Sequence, residues 1–180
     1  MLAVSTVKTA APDSALVVAS IRDLHRDVDA RARHLSVVHG QRLHCERGCS
    51  SCCIDDLTVL EVEAARIRVE YAEVVRSETP HPPGACAFLG ARGECRIYAA
   101  RPYVCRTQGL PLRWFEEDST EEIEEYTDIC ELNVAGPELS RLPLDECWLI
   151  GPTEEALVRL QERTTGQLRR VPLRNLFRRV

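Results

Sequence analysis

Four cysteines fall within nine residues, Cys45-Glu-Arg-Gly-Cys49-Ser-Ser-Cys52-Cys53, in the spacing C-x3-C-x2-C-C, and three more follow at Cys86, Cys95 and Cys105. Thiols this dense need a chemical account, because exposed free cysteines oxidise and cross-link. Disulfides, a metal site and a redox-active dithiol are the three options. A thiolate is a soft ligand, suited to zinc, copper(I) and iron–sulfur clusters. In Cys49-x2-Cys52 a tight backbone turn lets both sulfurs face one metal. A lone C-x2-C carries little weight; C-x3-C-x2-C-C with three further cysteines in one short region points to metal, without choosing which. A structural zinc takes about four ligands, usually from two such loops. Seven thiols exceed one zinc, so two arrangements stay open: a single cluster with spare thiols nearby, or two metals with Cys52 and Cys53 turned to different sites. A 4Fe–4S centre also takes four thiolates and tolerates uneven spacing better.

The other two options fit less well. Nine cysteines is an odd number, which disfavours a fully paired disulfide framework. Vicinal Cys52 and Cys53 pair only through a strained ring. The start, Met1 to Lys8, lacks a basic region followed by a long apolar core, and no apolar run approaches the roughly 20 residues that span a bilayer. The expectation is a cytoplasmic protein, not inserted in a membrane, whose thiols stay reduced. A redox role for Cys52 and Cys53 themselves predicts a low-pKa exposed thiol and no bound metal. A net charge of -5 argues against a general nucleic-acid coat. There is no phosphate-cradling glycine loop and no Gly-x-Ser-x-Gly elbow.

The elements that must position these thiols read as one domain in three stretches. Residues 1–40 form an N-terminal helical segment packing on the core. After a lead-in ending near Pro12, a helix capped by Asp13 or Ser14 runs to about Val38, with Val17, Ile21, Leu24, Val28, Leu35 and Val38 on its inward stripe. Residues 41–110 form the cysteine core, in which Gly48, Ser50 and Ser51 allow tight turns. A second helix, capped by Asp55 or Asp56, is expected from Leu57 to about Arg76. Its inward stripe is Leu60, Ala64, Ile67, Tyr71 and Val74, and its wet side Glu61, Glu63, Arg66, Arg68 and Glu70. A knot of turns, with a short strand at Cys95–Tyr98, completes this part. Residues 111–180 extend the same domain: an acidic stretch, Glu116 to Glu131, read as a solvated helix or loop; a capped helix start at Thr153; and an arginine-rich tail read as a solvated surface or a strip that docks a protein partner.

This pattern resembles the YkgJ-type CxxCxxCC cysteine-cluster family, described as zinc- or iron-chelating. The matching residues are Cys45, Cys49, Cys52 and Cys53; Leu57-Thr-Val-Leu-Glu61; Cys86-Ala-Phe-Leu89; and Cys95-Arg-Ile-Tyr-Ala-Ala-Arg101-Pro-Tyr-Val-Cys105-Arg106. The first spacing is x3 where the family name has x2, which makes Cys45 the outlying member. The resemblance implies chelation by Cys45, Cys49, Cys52, Cys53, Cys86, Cys95 and Cys105, of zinc or of an iron–sulfur cluster. One relative in that family is the flagellin lysine methylase group, and an iron–sulfur-dependent redox or protein-modifying enzyme is the alternative it raises.

Around the thiols, Arg101 and Arg106 are candidates to offset thiolate charge and donate to sulfur, with ordinary salt bridging weighed equally. Tyr98 and Phe88 are expected to pack around the site. His44 and His81 are expected to be exposed. Cys130 and Cys147 are read as packing residues, Cys130 with a minority claim to be an extra ligand. Few aromatics (5%) and many ligands imply that metal contributes to folding. The fold expected is a small, metal-organised, mainly α domain with irregular cysteine-rich loops and little or no sheet.

Overall fold

The computed structural model describes residues 14–117 and 119–177, so the lead-in and the extreme C-terminus lie outside the described residues. The first helix, α1, spans Ser14–Val38 as the apolar spacing predicts. Its buried face runs Val17, Ile21, His25, Val28, Ala32, Leu35, and the line continues to His39 just past its end. Steps of three and four residues therefore hold, but two histidines and an alanine fill places on that face, and Val38 is exposed.

The second helix differs from expectation at its start and in the middle. Thr58–Leu60 is a strand, β1, followed by α2 (Glu61–Glu70), a break at Tyr71, and α3 (Ala72–Ser77). β1 is a strand because it has a partner. Far down the chain β5 (Arg170–Pro172) pairs with it antiparallel, Val59 opposite Val171. The period-two alternation of a strand then sends Val59 and Leu60 into different apolar clusters. No aspartate caps α2. Gln161, fully buried on α5 (Pro152–Thr165), accepts the Val62 N–H at 3.0 Å and satisfies one of the helix's orphan donors.

The mainly α expectation is thus corrected: among the described residues there are five α-helices and five strands in two sheets, a mixed α/β fold. The second sheet has the order β3-β2-β4. In it β2 (Leu112–Glu117) pairs antiparallel with β3 (Ile123–Asp128) and parallel with β4 (Trp148–Leu149). The acidic stretch is therefore largely a hairpin rather than a helix or loop. Its glutamates are solvated as expected, while Trp114 stacks on Tyr126 directly across the register at 5.5 Å. The arginine-rich tail is not all surface, since Val171, Leu173 and Leu176 are buried beside Phe88 and Ile97.

Two expected wet-side residues of α2 are buried instead. Glu63 and Arg66 meet His25 between α1 and α2. Arg66 Nη1 donates to His25 Nδ1 at 2.8 Å, which leaves Nε2 carrying the proton toward Glu63 Oε1 at 3.1 Å. Glu63 also accepts the Tyr103 N–H at 2.7 Å, tying α2 to α4 (Tyr103–Thr107), the helix that carries Cys105. Charges bury here because each is paired and hydrogen-bonded.

Candidate metal centre

Three segments carry the seven thiols. Residues 45–53 fold into two successive turns closed by Cys49 N to Glu46 O (3.0 Å) and Cys53 N to Ser50 O (2.9 Å). Cys86 opens a turn closed by Leu89 N to Cys86 O at 2.9 Å, and Leu89 bridges back to Cys95. The expected strand at Cys95–Tyr98 reduces to that bridge, followed by a 3-10 turn over Tyr98–Ala100. Cys105 lies in α4, on which Pro102 accepts the Cys105 N–H at 3.0 Å.

These segments are fastened to each other by residues outside the cysteine motif. The Cys86 N–H donates to Cys53 O at 2.8 Å, so the first and second segments share a backbone bond beside their thiols. Gly93, at φ 79, brings its backbone against Gly48; a Cβ there would stand 2.9 Å from Gly48 O. Arg174 from the tail donates to Asp55 Oδ1 (2.6 Å), His81 O (2.6 Å) and Ala85 O (2.9 Å), and Asp55 also accepts the Gly84 N–H at 2.9 Å. One guanidinium therefore clamps the chain just after Cys53 to the chain just before Cys86. Its five donors in a fixed fork suit this work. The Gly84 N–H and Arg174 together hold the Asp55 carboxyl below the usual range.

Asn133 does the same for Cys45. It is fully buried: Nδ2 donates to Cys45 Sγ at 3.4 Å and to Gly109 O at 2.8 Å, while Oδ1 accepts the His44 N–H at 2.8 Å. Its own N–H donates to Cys130 O at 2.7 Å. Gly109 sits at φ 88, and a Cβ there would lie 2.5 Å from Cys45 Sγ. Sequence reading missed Asn133, Gly109 and Arg174. Only Asn133, three residues past a cysteine, left a signal to follow.

The nine cysteines are all free thiols, and of the seven candidates Cys45 and Cys52 are exposed while the other five are half-buried. Burial pushes the Cys86 and Cys95 thiols up, and pushes Cys105 up to about 12, helped by the neighbouring charges of Cys86 and Cys95. Burial also raises Cys45, against the bond from Asn133. Cys52 moves the other way, to about 6, because Cys53 donates to its sulfur; Cys53 is raised by the same contact. Charge on several close sulfurs is thus costly unless a cation shares it.

A cavity of about 510 Å³ opens beside the cluster, with Cys45, Cys49, Cys52, Cys95, Tyr98 and Gln108 in its wall. Tyr98 is 65% exposed, contrary to a packing role, and carries Arg101 over its ring at 4.0 Å. Phe88 packs, fully buried. Arg106 spends its Nη groups on Asp29 (2.6 Å) and Ala99 O (2.8 Å); Arg101 lies 3.7 Å from Asp29, and its charge favours the Cys95 thiolate. Each keeps one buried Nε–H with no partner among the described residues. His44 is exposed, His81 half-buried and Cys147 buried. A larger cavity, about 930 Å³, lies elsewhere, among Arg68, Arg76, Arg169 and Arg170, and no cysteine lines it.

The donor set fits zinc or iron in kind: soft sulfurs, several of them half-buried, with paired cations close by. Among the described residues no three Cys, His, Asp or Glu side chains converge tightly enough to hold an ion. No described helix is long and apolar enough to cross a membrane. Residues 44–131, just under half of the chain, match the family model named "CxxCxxCC: Putative zinc- or iron-chelating domain". That span takes in all seven motif cysteines and Cys130, and leaves out Cys147. No curated protein and no solved structure matches the chain.

Proposed function

With residues 44–131 matching that chelating domain, we propose that the protein binds zinc or iron through its cysteine cluster, the ligands drawn from Cys45, Cys49, Cys52, Cys53, Cys86, Cys95 and Cys105. What supports the reading is that three separate segments carrying seven free thiols, 45–53, 86–95 and α4, lie side by side, fastened by the Cys86 N–H to Cys53 O bond, Arg174, Asn133 and the Glu63–Tyr103 tie. A metal bound there neutralises sulfurs whose charge the fold otherwise penalises, and its binding energy becomes folding energy. Arg101 and Arg106 supply cationic surroundings even though their strongest bonds go to Asp29 and Ala99. The test is elemental analysis and a visible spectrum on protein purified without oxygen, with Cys105→Ser and Cys147→Ser alongside. Wild type and Cys147→Ser should carry metal, and Cys105→Ser should carry less. Equal metal in all three would refute the ligand set.

A second reading, an iron–sulfur-dependent redox or protein-modifying enzyme, is favoured by one observation: the 510 Å³ cavity gives a small molecule access to Cys45, Cys49 and Cys52. It requires a coloured, reducible iron–sulfur centre, and a colourless zinc protein would exclude it.

A further inference from the structure

We infer, building on the chelation reading, that the cysteines make two separate four-thiolate sites: an outer one of Cys45, Cys49, Cys52 and Cys130, and an inner one of Cys53, Cys86, Cys95 and Cys105. The first support is the backbone. Cys53 and Cys86 are joined by the 2.8 Å bond from Cys86 N, and Cys95 is bridged to the turn that Cys86 opens. Both Cys86 and Cys95 pack on the apolar cluster around Phe88 and Ile97, so this group has a dry floor.

The second support is Asn133. This one buried side chain bonds Cys45 Sγ, and its backbone N–H closes the Cys130–Asn133 turn. Cys130 is thereby fixed next to Cys45, 85 residues earlier in the chain (130 minus 45). The 510 Å³ cavity is the third support. Cys45, Cys49 and Cys52 line it, whereas Cys53, Cys86 and Cys105 do not; Cys95 lines it too, and Cys130 lies outside it, tied to the outer group through Asn133.

Eight thiols divided as four and four match the appetite of two tetrahedral thiolate sites, with neither a spare nor a shortage. The vicinal pair then has a reason. Adjacent residues feed adjacent sites, so Cys52 and Cys53 fix the spacing between the two metals.

The test is an anaerobic Co(II) titration of the reduced, chelator-stripped full chain, followed by its thiolate charge-transfer and ligand-field absorption. Wild type and Cys147→Ser should take two Co(II) per chain. Cys130→Ser should take one with unchanged affinity and bind the second about tenfold or more weaker. Cys130 is half-buried and its anchoring bond is a backbone one, so this variant keeps the fold, as a far-ultraviolet circular dichroism spectrum would verify. Cys49→Ser should reproduce the Cys130→Ser curve. One Co(II) in wild type, or two in both wild type and Cys130→Ser with equal affinity, overturns the two-site assignment and leaves chelation standing. No Co(II) in wild type overturns the chelation reading itself.

Discussion

Gly109→Ala is the most informative single perturbation of the site. Gly109 holds φ 88, and an added Cβ would stand 2.5 Å from Cys45 Sγ and 3.0 Å from Asn133 Nδ2. The backbone term alone, an alanine at positive φ, costs about 1 kcal/mol. The steric term moves a thiol that is exposed and free to turn, so it is paid as displacement of Cys45 and loss of its bond from Asn133, about 1 kcal/mol more. Gly166→Ala separates the two. That residue caps α5 at φ 66 with nothing within 4 Å of the added Cβ, so it shows the backbone term without the clash. Urea unfolding of the metal-free chains should put Gly166→Ala about 1 kcal/mol below wild type and Gly109→Ala about 2 kcal/mol below. Metal titration should leave Gly166→Ala unchanged and weaken binding in Gly109→Ala about tenfold. If the two variants matched in both assays, the claim that Gly109 makes room for a ligand thiol would fall.

Further outcomes follow from the parts that hold the site. His25 is 1% exposed, and burial holds its pKa below 6.5. The unfolded chain therefore binds a proton that the folded chain refuses. Stability is full above pH 6.5 and falls as pH drops below it, by up to about 1.4 kcal/mol per pH unit. Urea midpoints at pH 7.0 and 5.5 should show this, and His25→Asn should flatten the slope against Glu63, Arg66 and Arg106. Gln161→Ala strands the buried Val62 N–H and should cost about 1–3 kcal/mol by urea denaturation, with metal stoichiometry unchanged. Arg174→Lys puts one ammonium where a fork reached Asp55 and several carbonyls; it should lose metal to a chelator faster than wild type.

The legible parts of the chain were those set by local spacing. The α1 span follows from residues three and four apart, and the cysteine segment from ligand spacing within nine positions. What escaped was set across long separations. Thr58–Leu60 becomes a strand only because Arg170–Pro172 pairs with it, and nothing local distinguishes it from the start of a helix. Glu63 and Arg66 looked like a wet helix face because charges usually are; they bury because His25, Tyr103 and Ala99 O complete their bonds from other elements. In the hairpin, runs of glutamate masked the pairing of Trp114 with Tyr126, whose stacking is visible only once the register is known. At the site, the seven motif thiols were read from the sequence, whereas Asn133, Gly109 and Arg174 act through atoms 88, 64 and 119 residues from their targets (133 and 45, 109 and 45, 174 and 55).

The most direct measurement of the central claim is the mass of the intact folded chain, purified without oxygen, set against the mass of the same chain denatured in acid. Chelation predicts a folded mass in excess by whole zinc ions or by an iron–sulfur cluster, and loss of that excess on acidification. Identical masses, with the seven motif thiols open to an alkylating reagent in the folded protein, would contradict it.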